Sequence, residues 1–323
     1  MTDQKMLAPT RAWGTNSVKR VNPAVVVVPC ASRKRVGPEG PTRAASLKRA
    51  SQARVEKQWL ARVNTFPQQV TARHLYRGRG FSLAAAVAES TGARLLVISA
   101  GLGLVEADRE VPSYGLTVGA QGEDVVSTRV LGSFDPRRWW AAIKTGRFSS
   151  DWPKVFQTGD GPVLMALTRP YAEMVADDLA ALSDADIQRL RIFGHGLDRI
   201  LPERVRDSVM PYDARLDSIL PGTRTDFPQR ALSHFANTVG PSKEALADGA
   251  AVSAALKGRR VPIRIQRPRL DDDAMVNAIA LHLRTTQGIG RILRRLRHED
   301  RIACEQRRFT KLYRVAMRQA AGS

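Results

Sequence analysis

Glu106 and Asp108 stand two residues apart in the stretch LLVISAGLGLVEADREVPSYGLTV (Leu95–Val118), and His195 stands between two glycines in FGHG. Carboxylates at i and i+2 point the same way in extended backbone. The chain around them is strongly basic, with 51 Lys+Arg against 31 Asp+Glu and a net charge of +20. A charge of that sign points to a polyanionic partner, and adjacent carboxylates are poor choices for affinity toward one. They make sense if one of them stabilises a cationic transition state or positions a water. Cleavage of an N-glycosidic bond has this demand, because the sugar becomes oxocarbenium-like while negative charge builds on the departing base. His195 is then the candidate donor to that base. The plainer alternatives are a solvated acidic loop and a hydrogen-bonded structural histidine.

The turn SAGLGLV, with Ser99, Gly101 and Gly103, has the composition of a phosphate-cradling nest. No GKS or GKT follows it, so it is not a P-loop, and it lacks the third glycine of a dinucleotide fingerprint. Four apolar runs of strand length must position these residues: AVVVVPC (24–30), LLVIS (95–99), PVLMALT (162–168) and LRIFGHG (190–196). Between the last two, Tyr171, Met174, Val175, Leu179 and Leu182 recur at helical spacing. Strand, helix, strand with such a crossover implies parallel pairing in an α/β sheet covered on both faces. Ligands of such sheets bind beyond the carboxyl ends of the strands. PCASRK, SAGLGLVEAD, TRPY and GHG all fall on that rim.

Residues 1–22 read as a flexible tail, 23–240 as the α/β domain, 241–266 as a linker and 267–323 as a basic helical module. Ser32 to Arg79 carries twelve Lys/Arg and only Glu39 and Glu56 as acids, which suits a surface for backbone phosphates. In the C-terminal module one helix contains Val276, Ile279, Ala280 and Leu283, N-capped by an Asp among 271–273, and a second contains Ile292, Leu293 and Leu296. A third begins near Ala303, with Arg307, Arg308, Lys311, Arg314 and Arg318 along it. Three short helices with a basic last helix match a helix-turn-helix DNA reader. Two cysteines, Cys30 and Cys304, give no disulfide framework, and no metal-ligand spacing is present. A cytoplasmic chain without metal, cofactor or membrane span is expected, and its oligomeric state is left open.

Two resemblances attach to these residues. Pro29, Cys30, Ser32 and Lys34, then Leu75, Tyr76, Gly78 and Phe81, then Ser99, Ala100, Gly103, Leu104, Val105, Asp108, Val111, Tyr114 and Thr117 resemble, in order, the signature of the YaaA-like family. Glu106 stands where that pattern usually carries Asp. GPVLMALTRPYAEMV followed by LRIFGHG is similar in layout to the latter half of uracil-DNA glycosylase folds, where a strand–helix–strand unit delivers a histidine. The GQDPYH sequence of the uracil enzymes is absent.

Together the resemblances imply a glycosylase of double-stranded DNA, similar to anti-phage enzymes that excise glucosylated hydroxymethylcytosine from a flipped nucleotide. Glu106, Asp108 and His195 are then the catalytic residues. Cys30, Ser32, Tyr76, Ser99, Gly101, Gly103, Tyr114, Thr117 and Tyr171 line the base and sugar pocket, with the tyrosines able to stack on the base. Arg33, Lys34, Arg35, Arg77 and Arg79 grip phosphates beside it, and the C-terminal module grips the duplex. The competing expectations are a non-catalytic DNA-binding protein and a base-modifying transferase.

Overall fold

A computed structural model describes residues 19–68, 70–157, 159–263 and 267–321. The chain divides into two compact units, Met1–Pro262 and Ile263–Ser323.

The first unit is built on five strands: β1 (Val25–Pro29), β2 (Arg94–Ser99), β3 (Gly103–Glu106), β4 (Val163–Ala166) and β5 (Leu190–Phe193). Their order in the sheet is β3-β2-β1-β4-β5. β1 pairs in parallel with β2 (Val25 opposite Arg94) and with β4 (Val25 opposite Val163), and β4 pairs in parallel with β5. The four successive valines of β1 are fully buried, as a central strand covered on both faces requires. The mostly parallel sheet expected from the apolar runs is therefore present. From β1 the chain crosses to β2 on one side, and from β4 it crosses to β5 on the other. The crevice between β1 and β4 is thus the switch point of the sheet, where α/β folds bind ligands.

The longer helices of this unit are α1 (Gln52–Thr65), α2 (Arg79–Thr91), α3 (Pro136–Ile143), α4 (Arg169–Ala180), α5 (Phe227–His234) and α6 (Ala245–Ala255). α2 packs on β1 and β2, α5 packs on β4 and β5, and the two helices pack on each other. α4, α3 and α1 pack in series as a second layer. Within Ser32 to Arg79 the long regular element is α1, while residues 30–51 are irregular apart from short turns at Gly40–Thr42 and Ala44–Ser46.

Three expectations need correction. The acid-bearing segment after Ser99 is not all loop: Gly103, at φ +84°, reverses the chain, β3 runs back antiparallel along β2 as far as Glu106, and Asp108 lies in the turn that follows. The stretch expected as a linker holds α6, whose Val252 and neighbouring Leu256 are fully buried. Asp248 of that helix pairs with buried Arg191 at 2.5 Å, and removing one partner of such a pair costs about 3–5 kcal/mol. The expected tail lies outside the described residues up to 18, but Val21 donates to the Pro241 carbonyl at 2.9 Å and so already belongs to the fold.

The second unit consists of α7 (Asp272–Leu283), α8 (Ile289–His298) and α9 (Gln306–Ala321). Met275, Ile279, Ile292, Leu296, Phe309 and Ala316 form its separate core. Asp271 caps α7 by accepting from the Ala274 amide at 2.8 Å, as expected. The last helix starts at Gln306 rather than near Ala303, because the Ala303 amide is drawn to the Pro268 carbonyl at 2.9 Å. Among the described residues no helix is long and apolar enough to cross a membrane.

Candidate functional site

At the carboxyl ends of β1, β2 and β4 five of the expected pocket residues meet. Cys30 follows β1, Ser99 ends β2, and Tyr171 lies in the first turn of α4, which follows β4. The Cys30 Sγ and Tyr171 Oη lie 3.0 Å apart across the switch point. Tyr114 Oη is 2.7 Å from Ser99 Oγ and 3.1 Å from Tyr76 Oη, so three hydroxyls form one chain. Tyr76, Ser99 and Tyr114 are buried, while Cys30 and Tyr171 are half-buried. Burial, reinforced by the neighbouring Cys30, pushes the phenols of Tyr76, Tyr114 and Tyr171 well above their ordinary value. They remain neutral hydrogen-bonding groups at neutral pH and do not act as bases.

Lys34 belongs to this cluster instead of to the phosphate surface. It forms an antiparallel bridge with Tyr76, and the Arg35 and Arg77 amides donate to the Leu75 and Arg33 carbonyls at 2.9 and 3.0 Å. Side chains alternate along paired extended segments. Lys34 and Tyr76 therefore turn inward together, while Arg33, Arg35 and Arg77 are exposed. The Lys34 ammonium lies 4.3 Å from the centroid of the Tyr114 ring and 5.8 Å from that of Tyr76, and it donates to the Ala31 carbonyl at 3.4 Å. Desolvation lowers its pKa, against smaller opposing pulls from Cys30 and Asp124. Asp124 is itself held by Arg43 at 2.8 Å.

The three expected catalytic residues do not form one site. Glu106 lies opposite Leu96 on β3, three residues back from Ser99, or about 10 Å along the sheet. It is ion-paired with Arg94. Asp108 lies farther along the same return, 80% exposed and 2.9 Å from Arg73, whose hydrogen bond holds its carboxyl below the ordinary range. His195 is exposed at the end of β5, with its ring edge-on to Phe227 at 5.9 Å. β3 and β5 are opposite edges of the sheet, about 19 Å apart at four strand spacings. The carboxylate assignment is corrected on that ground: an ion-paired acid on the return strand cannot reach a sugar at the rim.

The phosphate-cradle reading of SAGLGLV is corrected as well. The buried indoles of Trp59 and Trp139 donate to the Gly101 and Ala100 carbonyls at 2.7 and 2.8 Å. The Leu102 amide is taken by Ser99 Oγ at 3.0 Å, and the Leu104 amide by Ser149 Oγ at 3.0 Å. Gly101 is required by packing, since a Cβ there would stand 2.8 Å from the Tyr114 ring. The turn is thus a seat for Tyr114. Thr117 is occupied locally, accepting from the Gly119 amide at 3.0 Å, and Ser32 is exposed.

Among the expected phosphate ligands, Arg79 donates to the Pro221 carbonyl at 2.6 Å and faces Asp226 at 3.8 Å. In the second unit Arg308 is held by Asp272 at 2.6 Å, which removes it from a phosphate role. Lys311, Arg314 and Arg318 are exposed along α9, and the side chain of Arg307 lies outside the described residues. The sequence reading passed over two exposed arginines of α8, Arg291 and Arg294, although their spacing from the buried Ile292 and Leu296 marks an outward face. It also passed over Gln229 in the first turn of α5, whose buried amide oxygen has no hydrogen-bond partner among the described residues. No signal short of the fold marked that residue.

A separate cavity of about 610 Å³ lies by the last turn of α4, the far end of that helix from Tyr171. One of its three acids, Asp178, is already engaged by the indoles of Trp140 and Trp152, at 2.6 Å each, and by Lys144. No family model, curated protein or solved structure matches the chain.

Proposed function

We propose that this protein excises a modified base from DNA, with the flipped nucleotide seated on the rim at Cys30, Lys34 and Tyr171, above the buried Tyr76 and Tyr114. The observation that carries this reading is the junction of two surfaces on one short segment. Lys34 and Tyr76 turn into the aromatic cluster at the switch point, while Arg33, Arg35 and Arg77 line its outside. Everting a nucleotide requires both: aromatic or apolar faces for the unstacked base and cations for the flanking phosphates. The neutral, partly exposed phenol of Tyr171 suits the base, since it can donate to its edge without adding charge.

A uracil-DNA-glycosylase-like layout is supported by β4, α4 and β5 leading to His195. The YaaA-like signature is supported by the meeting of Cys30, Tyr76, Ser99 and Tyr114, which that pattern holds in order. The second unit grips the duplex in helix-turn-helix fashion, with α7 and α8 joined through residues 284–288 and the exposed cations of α8 and α9 toward phosphates. The preferred substrate is phage DNA carrying glucosylated hydroxymethylcytosine, and the biological role is anti-phage defence in the cytoplasm.

A second reading, non-catalytic DNA binding, is favoured by one observation: Glu106 and Asp108 are engaged in ion pairs. Purified protein incubated with glucosylated and with unmodified duplexes separates the two. Alkali-labile abasic sites in the modified duplex alone support excision. Salt-sensitive binding with no new product on either duplex supports the second reading.

A further inference from the structure

Glu106 on β3 and Asp108 beyond it lie away from the rim, so neither is placed to activate a water there. Three reactive side chains stand near the switch point: Cys30, Tyr171 and Lys34. The Cys30 thiol is joined to the Tyr171 hydroxyl at 3.0 Å, and that phenol is held neutral by burial. Lys34 differs from both. Its contacts are one carbonyl at 3.4 Å and the faces of two aromatic rings. The residue is half-buried. The nearby acid, Asp124, is committed to Arg43 at 2.8 Å. Desolvation that disfavours the ammonium is the condition that makes a lysine a nucleophile at neutral pH.

We propose that Lys34 supplies the amine that displaces the base, a role that rests on the base-excision reading above. The Nζ lone pair bonds to C1′ of the flipped nucleotide as the C1′–N bond to the base breaks. The bonding pair leaves with the base, which takes a proton from solvent, while the new ammonium at Nζ releases one to solvent. The C1′–O4′ bond then opens, O4′ takes up a proton, and an iminium links C1′ to Lys34. Water adds to that carbon and returns the free amine with an abasic sugar. The balance is hydrolysis of one glycosidic bond, with no oxidant or reductant consumed. The aromatic faces of Tyr114 and Tyr76 hold the amine in place and can accommodate each cationic stage.

The test is reductive trapping. The full chain is incubated with a duplex containing glucosylated hydroxymethylcytosine in the presence and absence of borohydride, and the product is digested and mapped by mass spectrometry. The expected result is a covalent protein–DNA adduct with its mass on the peptide containing Lys34, formed only when borohydride is present. Lys34→Arg keeps the positive charge and duplex affinity but is expected to lose the adduct and to slow base release by about 10²-fold or more. Lys34→Met, with folding checked by circular dichroism, is expected to behave the same way. Base release at an undiminished rate by Lys34→Arg, or release by the unaltered protein without any trapped adduct, overturns the role of Lys34 while leaving base excision standing. Intact bases on every modified duplex overturn both.

Discussion

The Cys30 thiol and the Tyr171 hydroxyl meet at 3.0 Å although 141 positions separate them in the chain. One follows β1 and the other opens the helix after β4, so their contact marks the place where the connections of the sheet diverge. The conformational cost of ordering a rim of this kind is met elsewhere, by the buried strands and the two indoles that fix the turn beneath Tyr114.

Tyr171→Phe removes only the hydroxyl that touches Cys30. If this phenol contacts the everted base, base release should fall about two- to tenfold, since one neutral hydrogen bond is worth about 0.5–1.5 kcal/mol. Duplex affinity, measured by fluorescence anisotropy, should stay within about twofold. Tyr114→Phe should instead register in stability, with a loss of about 1–3 kcal/mol in urea unfolding, because it leaves buried Ser99 and Tyr76 short of a partner.

The acids of the return strand give the opposite expectation. Glu106→Gln and Asp108→Asn should leave base release and DNA affinity unchanged within about twofold. Their partners are Arg94 and Arg73 on partly exposed surface, where a pair is worth less than about 1 kcal/mol. A loss of base release by more than about 10²-fold, at intact folding, would restore a catalytic role to one of them.

Acid sensitivity should arise at His234. Its Nδ1 lies 2.8 Å from the Tyr212 hydroxyl, and burial, aided by Arg259, holds its pKa below the ordinary 6.5. The unfolded chain therefore binds a proton at a pH where the folded chain does not, so stability rises with pH there. The melting temperature should be on its plateau above about pH 6.5 and fall as pH drops toward the folded value. His234→Gln should flatten that limb. The lowered carboxyls of Asp108 and Asp213 act in a lower window, their contribution fading as pH falls below their ordinary value of 3.8.

Arg291 and Arg294 test the second unit. If both contact phosphates, Arg291→Gln with Arg294→Gln should reduce the slope of log affinity against log salt by about 1.8 units, at roughly 0.9 per contact. Base preference should not change, because phosphate contacts position the duplex without reading it.

How much of this was legible in the sequence follows from what each signal encodes. Apolar runs marked β1, β2, β4 and β5, and strand-end placement brought Cys30, Ser99 and Tyr171 to one rim. The two-residue spacing of Glu106 and Asp108 implies a shared direction only in extended backbone, but the strand ends at Glu106 and Asp108 lies in the turn that follows, and the reversal at Gly103 carries both away from the rim. Lys34 was read as part of a basic run, since only its pairing with Tyr76 divides that run into an inward lysine and outward arginines. α6 was hidden because its Ala- and Gly-containing composition resembles a linker. Its anchor, the pair of Asp248 with Arg191, joins residues 57 positions apart and leaves no local trace.

The central claim is that a base leaves DNA at this rim, and free nucleobase measured by mass spectrometry reports on it directly. Glucosylated phage DNA incubated with the unaltered protein, and separately with the Glu106→Gln, Asp108→Asn double variant, should release the modified base in equal amounts with abasic sites, while Lys34→Arg should release almost none. DNA that is bound by all three proteins yet yields its full complement of intact modified nucleosides would contradict the account.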